Sequence, residues 1–299
     1  MFGTPIGGAI FGVEVLFIGG LMYDVLLPAF IAGIVSYHVS AALGTTYFYS
    51  PLQFVPVFSG FFLIQVIVAG IFFGLVALLL IELFALIEKA AQRLPLWAPA
   101  KGIIGGVALV LLTLAFSTQY LGLGLGTTQA TLQGQPAVWY AFPLKIVFTS
   151  VTLGFGGSGG IITPIFFIGS TSGSAFAQLF GLNSATFAAI GLVAVLAGAT
   201  NTPIAASIIS VELFGPTVAP YAALACVVSY VMSGHRSIYP SQVLATEKSR
   251  SLQVQIGQQV AKGKQTVQPR PGSVTGAGVV ILSRIRDFFV KHVRVRRQR

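Results

Sequence analysis

The chain has 299 residues, of which 55% are hydrophobic and only 8% charged, with a mean hydropathy of +0.88. A soluble domain carries about 25% charged residues, so this composition excludes an ordinary water-soluble enzyme and any disordered or collagen-like chain. The net charge of +10 is unevenly placed: residues 1–235 hold four basic and five acidic side chains, residues 236–299 thirteen basic and two acidic. The excess therefore belongs to a C-terminal tail. No aromatic stacking platform or RNA-binding motif accompanies it, so no nucleic-acid partner is expected.

Apolar runs of about 20 residues recur from end to end and predict an all-α, multi-pass membrane protein. Runs such as residues 61–80 do not alternate polar and apolar, which excludes an outer-membrane barrel. The first segment, 5–22, lacks a basic flank and a cleavage pattern, so it is not a signal peptide. Segments 25–43 and 57–88 follow, the latter long enough to span at a steep tilt. Residues 88–95 read as a charged turn outside the hydrocarbon. After segment 102–121, residues 127–136 read as a polar loop.

The remaining segments, 140–154, 160–180, 185–199, 203–214, 217–233 and 237–247, are mostly too short to span a bilayer alone. Long and short apolar segments interrupted by Gly and Pro predict broken and tilted helices whose ends line a polar cavity. Residues 1–248 are thus expected to form one transmembrane domain and residues 249–299 a basic tail. A basic flank after the last span places that tail in the cytoplasm. Residues 278–296 fit either a basic amphipathic helix on an anionic lipid surface or a disordered tail.

Few side chains suit chemistry. The single cysteine, Cys226, lies in an apolar run and reads as a core residue. His38, His235 and His292 are far apart and lack ligand spacing. No metal site, no resident cofactor and no nucleophile–base cluster is expected, hence no enzyme.

The most informative feature is a repeat. Thr4–Glu14 (TPIGGAIFGVE) aligns with Thr202–Glu212 (TPIAASIISVE), with six of eleven positions identical. Val35-Ser36-Tyr37 and Val228-Ser229-Tyr230 end the apolar runs that follow. Pro in the first turn marks a helix start. A Glu near the end of a short apolar helix is functional or paired, or it caps neighbouring backbone or sits at the headgroups. Such repeats characterise transporters and channels. The second copy is preceded by about 200 residues and the first by three, so the first repeat is expected to be truncated, with its other part in a longer chain or encoded elsewhere.

Residues 154–164 (GFGGSGGIITP) form a glycine-rich break between apolar segments. Such a stretch at membrane depth needs a use for its free backbone groups. Followed by a helix, it presents unpaired N–H groups and the positive end of the helix dipole, which suit an anion. Dipoles also let the anion leave, whereas a fixed cation would retain it. Close helix packing through small residues is the alternative. A nucleotide-binding loop is excluded by the missing Gly-Lys-Ser/Thr ending.

Taken together, four blocks resemble the CLC family of chloride channels and anion/proton transporters. Residues 2–14 are similar to its Asn/Thr-Pro stretch leading to a Glu, and residues 145–169 to its Gly-Ser-Gly-x-x-Gly-Gly-x-Phe-x-Pro signature. Residues 191–212 are similar to its later helix pair, and Ser237-Ile238-Tyr239 to the tyrosine that opens its last membrane helix. The resemblance implies the inverted-repeat fold of that family, N-terminally truncated. It implies chloride as the transported ligand, held near Gly159 and Gly160 by the amides of Ile161 and Ile162 and by the hydroxyl of Tyr239. It also implies a voltage-gated channel and a homodimer, or pairing with a full-length copy, through residues 4–18, 25–43, 203–214 and 217–233. Two departures matter. Ile162 stands where the family has Phe, and Val15 follows Glu14 where proton-coupled members carry a second Glu, favouring a passive channel over an antiporter. The family's upstream serine and gating-glutamate motifs are not in this chain, so it is expected to be inactive without them, or to act as a non-conducting subunit through dimerisation.

Overall fold

The computed structural model describes residues 2–45 and 59–248, together with 252–253, 256–257, 259–260 and 268–269. Ten α-helices account for most of them: α1 (Pro5–Glu14), α2 (Leu26–Ala42), α3 (Gly60–Arg93), α4 (Ala98–Ala115), α5 (Leu125–Leu132), α6 (Ala141–Gly154), α7 (Ile162–Phe180), α8 (Ser184–Thr200), α9 (Pro203–Phe214) and α10 (Ala219–Met232). Among the described residues, three helical stretches are long and apolar enough to cross a membrane: Tyr23–Ala42, Gly60–Arg93 and Ala98–Ala115. At 1.5 Å per residue α3 is about 51 Å long, well beyond the bilayer core, so it must tilt. Ser59 starts it by accepting the Phe62 N–H at 3.1 Å.

Helix α8 is the centre of the fold. Every residue from Thr186 to Thr200 is buried. A helix apolar on all sides must be covered on all sides, and α3, α7, α9 and α10 cover it. Small residues set the close approach to α7. A Cβ on Gly169 would lie 2.5 Å from the Gly191 carbonyl oxygen, and one on Gly173 would overlap the Phe187 carbonyl. The two pairs have the same position sum, as an antiparallel register requires, so the N-terminal end of α7 at Ile161 lies level with Ala199.

The two repeat copies are α1 and α9, and they pack antiparallel. Glu14, at the end of α1, accepts the N–H groups of Ile204 and Ala205 at the start of α9, at 3.1 and 2.7 Å. Glu212, near the end of α9, accepts those of Ile6 and Gly7 at the start of α1, at 3.0 and 2.7 Å. Of the readings open for these carboxylates, backbone capping is the one adopted, and each copy caps the other. A carboxylate at a helix N-terminus satisfies orphan donors and complements the dipole.

Three expectations need correction. Residues 237–247 form no helix: they run as turns into strand β2 (Val243–Leu244), which pairs in parallel with β1 (Phe17–Ile18). The polar stretch 127–136 is largely helix α5, whose Thr128 and Thr131 hydroxyls bond the backbone carbonyls of Gly124 and Thr128. The charged residues 88–93 continue α3 rather than forming a turn. Residues 278–296 lie outside the described residues.

The two caps differ in burial. Glu14 is 5% exposed, whereas Glu212 is only half-buried. Glu14→Ala should lower unfolding stability in detergent by about 2 kcal/mol and Glu212→Ala by about 1 kcal/mol, read as shifts in a chemical denaturation midpoint.

Candidate functional site

The glycine-rich break divides into two parts with different reasons for glycine. At the end of α6, Gly156 has φ +90°, and the chain reverses through two capping bonds. The Gly156 N–H donates to Leu153 O at 3.1 Å and the Gly157 N–H to Thr152 O at 2.8 Å. A Cβ on Gly157 would lie 2.5 Å from that same Thr152 oxygen. This is the left-handed helix ending that glycine serves best. Gly159 and Gly160 answer to no such demand. A Cβ on Gly160 would meet nothing within 4 Å, and one on Gly159 only the Leu153 Cδ2 at 3.7 Å.

Helix α7 then begins at Ile162, with Ile161 as the residue before it. The first N–H groups of a helix have no intrahelical acceptor. Residue 164 is proline and has no N–H, while the Ile165 N–H reaches Ile161 O at 3.0 Å. No acceptor among the described residues takes the N–H groups of Ile161, Ile162 or Thr163. Residues 156–160 are exposed, Ile161 and Ile162 half-buried, and α7 is buried from Thr163 to Ser174. The helix therefore offers its positive end and two or three free amides at the rim of a buried bundle.

Tyr239 comes to the same level by a different route. The Ile238 N–H donates to Ala199 O at 2.9 Å, and Ala199 is level with Ile161 in the α7–α8 register. Ile161, Ile162, Tyr239 and Phe2 all pack against the main core, and the Phe2 ring meets Phe166 edge-on at 4.8 Å. No partner among the described residues engages the Tyr239 hydroxyl. All five residues read from the sequence thus lie at one end of the α7–α8 pair.

Lys145 does not join them. It is 1% exposed, and its ammonium donates to Tyr120 O at 3.0 Å and Gly122 O at 2.6 Å, with the Phe167 ring 5.1 Å away. It serves its own backbone. No cluster of three His, Cys, Asp or Glu side chains suited to a metal occurs among the described residues.

Sequence reasoning missed the polar residues that surround the α8–α9 junction. Among the described residues, Asn201 is the non-glycine residue with positive φ, at 61°. It and Gln242 are 1% and 2% exposed. Their signal was an Asn between Thr200 and Thr202 at the break before Pro203, and a Gln three positions after Tyr239.

The family model described as voltage gated chloride channel matches residues 1–234. The chain belongs to the CLC family. A chloride/fluoride channel protein of Pseudomonas syringae pv. tomato is 39% identical over 255 residues, covering 83% of this chain and 56% of that protein. The voltage-gated ClC-type chloride channel ClcB of Shigella flexneri is 29% identical over 252 residues, covering 79% and 60%. Among solved structures, a CLC-type fluoride/proton antiporter superposes with a TM-score of 0.77 at 35% identity, covering 81% of this chain and 61% of that one. A slow cyanobacterial Cl⁻/H⁺ antiporter, at 22% identity and a TM-score of 0.64, shares the fold. The chain spans about three fifths of the length of these CLC relatives, and it is a membrane protein of the same helical architecture.

Lys145 gives a direct test of the structural assignment. Lys145→Met keeps the apolar stem but leaves the Tyr120 and Gly122 carbonyls without their donor. Stability should fall by about 1–3 kcal/mol for each, measured by denaturation in detergent.

Proposed function

We propose that this CLC chain handles chloride by passive conduction, holding the anion at the start of α7 with the amides of Ile161 and Ile162 and the hydroxyl of Tyr239. One observation carries the reading. Three helices, α1, α7 and α9, begin at a Thr-Pro pair, Thr4-Pro5, Thr163-Pro164 and Thr202-Pro203, and each could offer its N-terminus to an anion. Two of these are already filled by the protein's own carboxylates, Glu212 and Glu14, and only α7 retains free amides beside an unobstructed pair of glycines. Amides and a neutral hydroxyl bind an anion by hydrogen bonds without the depth of a fixed counter-charge.

Passive movement is favoured by Val15, which follows the capping Glu14 where a second acid would serve proton exchange. Glu14 itself has both oxygens committed to α9. The antiporter is the alternative, and a non-conducting subunit the other. Fluoride as the conducted ion is a second reading, supported by the chloride/fluoride channel protein at 39% identity and the fluoride/proton antiporter at 35%. We also propose a homodimer through residues 4–18, 25–43, 203–214 and 217–233. Its support is that no residue of α2 is buried and that Leu27, Ile31, Ile204 and Val227 expose apolar surface. In this reading the channel is voltage-gated, it sits in the cell membrane, and the basic C-terminal tail is cytoplasmic.

The test is halide flux from liposomes carrying this chain together with the upstream part of the CLC fold taken from a relative, read with chloride and fluoride electrodes alongside a pH indicator. Chloride release without proton movement is expected, and none from this chain alone. Gly160→Ala should reduce it about tenfold by obstructing the amides, while leaving the denaturation midpoint unchanged because its Cβ meets nothing. Tyr239→Phe should reduce it by a similar factor. Stoichiometric proton movement would establish the antiporter. Halide binding without flux would establish the non-conducting subunit.

A further inference from the structure

The turn that carries Tyr239 has no helix of its own to hold it. Its position is set by two buried amides whose hydrogen-bonding capacity is filled. Asn201 donates from Nδ2 to the Arg236 carbonyl and to Gln242 Oε1, both at 3.0 Å. Gln242 donates from Nε2 to Val15 O at 2.5 Å and to Thr200 O at 2.7 Å. Asn201 Oδ1 accepts from the Lys248 ammonium, which also donates to Tyr230 O at 2.8 Å and Ser233 Oγ at 3.2 Å, and lies 3.8 Å from the Tyr230 ring centroid. The Gln242 N–H closes the turn onto Tyr239 O at 3.2 Å. Three otherwise separate pieces are thereby tied together: the end of the first repeat copy at Val15, the C-terminus of α8 at Thr200, and the segment on either side of Tyr239. The backbone bears a cost for this, since Asn201 holds the left-handed conformation that favours glycine.

We propose that Asn201 and Gln242 are positioning residues for Tyr239, and that Lys248 locks Asn201 in the orientation this requires. The inference rests on the reading of Tyr239 as an anion ligand. Buried polar networks that are fully satisfied specify one arrangement rather than several. A hydroxyl contributes to ion binding only when its O–H is held at the correct place beside the amides. The amide pair supplies that hold through Val15, Thr200, Arg236 and Lys248 and makes no hydrogen bond to α7, so its removal loosens the hydroxyl and leaves the amides of Ile161 and Ile162 in place.

A double-mutant cycle on the full chain in detergent tests this, with chloride affinity read by calorimetry. Asn201→Gly suits the purpose because glycine accepts φ 61° and only the amide is lost. It should weaken chloride binding about tenfold in the parent and have no effect in the Tyr239→Phe background. Equal weakening in both backgrounds, or none in the parent, overturns the positioning role. If Tyr239→Phe alone leaves affinity unchanged, the Tyr239 reading of the site fails and this inference fails with it. A second readout does not depend on ion binding. In ring-labelled tyrosine NMR, with the signal assigned through Tyr239→Phe, the Tyr239 resonance should be distinct in the parent and averaged in Asn201→Gly, with the tyrosine signals other than that of Tyr230, which meets Lys248, unmoved. An unchanged Tyr239 signal overturns the proposal. Should Asn201→Gly fail to fold, Lys248→Met, which removes the lock on Asn201 together with the bonds to Tyr230 O and Ser233 Oγ, is expected to average the same signal, and its failure to do so overturns the proposal.

Discussion

In the hydrocarbon every backbone N–H needs a partner, and the structure is organised by how each broken helix meets that demand. Short helices that stop inside a bundle expose orphan amides at one end. At α1 and α9 the chain answers with carboxylates, each drawn from the opposite repeat copy. At the end of α8 the unpaired groups are carbonyls, and it answers with the side-chain N–H donors of Asn201 and Gln242. The loop before α5 also exposes carbonyls, and there it answers with the ammonium of Lys145. The charge of each partner follows the sign of the group it meets. These few polar residues are therefore fixed by backbone chemistry, which explains why so apolar a chain keeps them.

The reciprocal caps have a further consequence. A carboxylate within its own helix end could stabilise that helix alone. Here each one stabilises the start of the other copy, so α1 and α9 gain their caps only when packed together. The Cβ that Gly7 lacks would collide with Ile209, which permits the close approach the carboxylates need. The pairing is cooperative in the sense that neither helix is complete without the other.

Much of this was legible in the sequence, for physical reasons. Thr-Pro starts and Glu ends are not apolar filler, so the repeat stood out, and glycine density marked the break before α7. Periodicity could not supply the rest. The run 237–247 is short and apolar, and such runs read alike as helix or strand. Pro240 disfavours a helical Tyr239, and the open edge at Phe17–Ile18 captures Val243–Leu244 as a strand. Helix α5 escaped because Thr and Gln suggest a loop, while the buried Thr128 and Thr131 hide their hydroxyls on backbone carbonyls. Asn201 and Gln242 looked unrelated in the sequence. Their meaning lies in a contact 41 positions apart, which no local pattern records.

The division among the glycines sharpens the case for α7. Gly156 and Gly157 are required by the chain reversal itself, so a glycine-rich motif taken whole overstates the functional signal. Gly159 and Gly160 are different, since the packing around them would accept a larger residue. Glycine there costs conformational entropy with no structural return inside this chain. What it preserves is unobstructed approach to the first amides of α7, which, unlike those of α1 and α9, no carboxylate of the described residues fills. The nearby cation is turned away into carbonyls, so the field at that point comes from backbone dipoles and from the orientation of a single neutral hydroxyl. An anion held this way is bound by several weak, directional contacts, each of which can be relinquished in turn as the ion moves on.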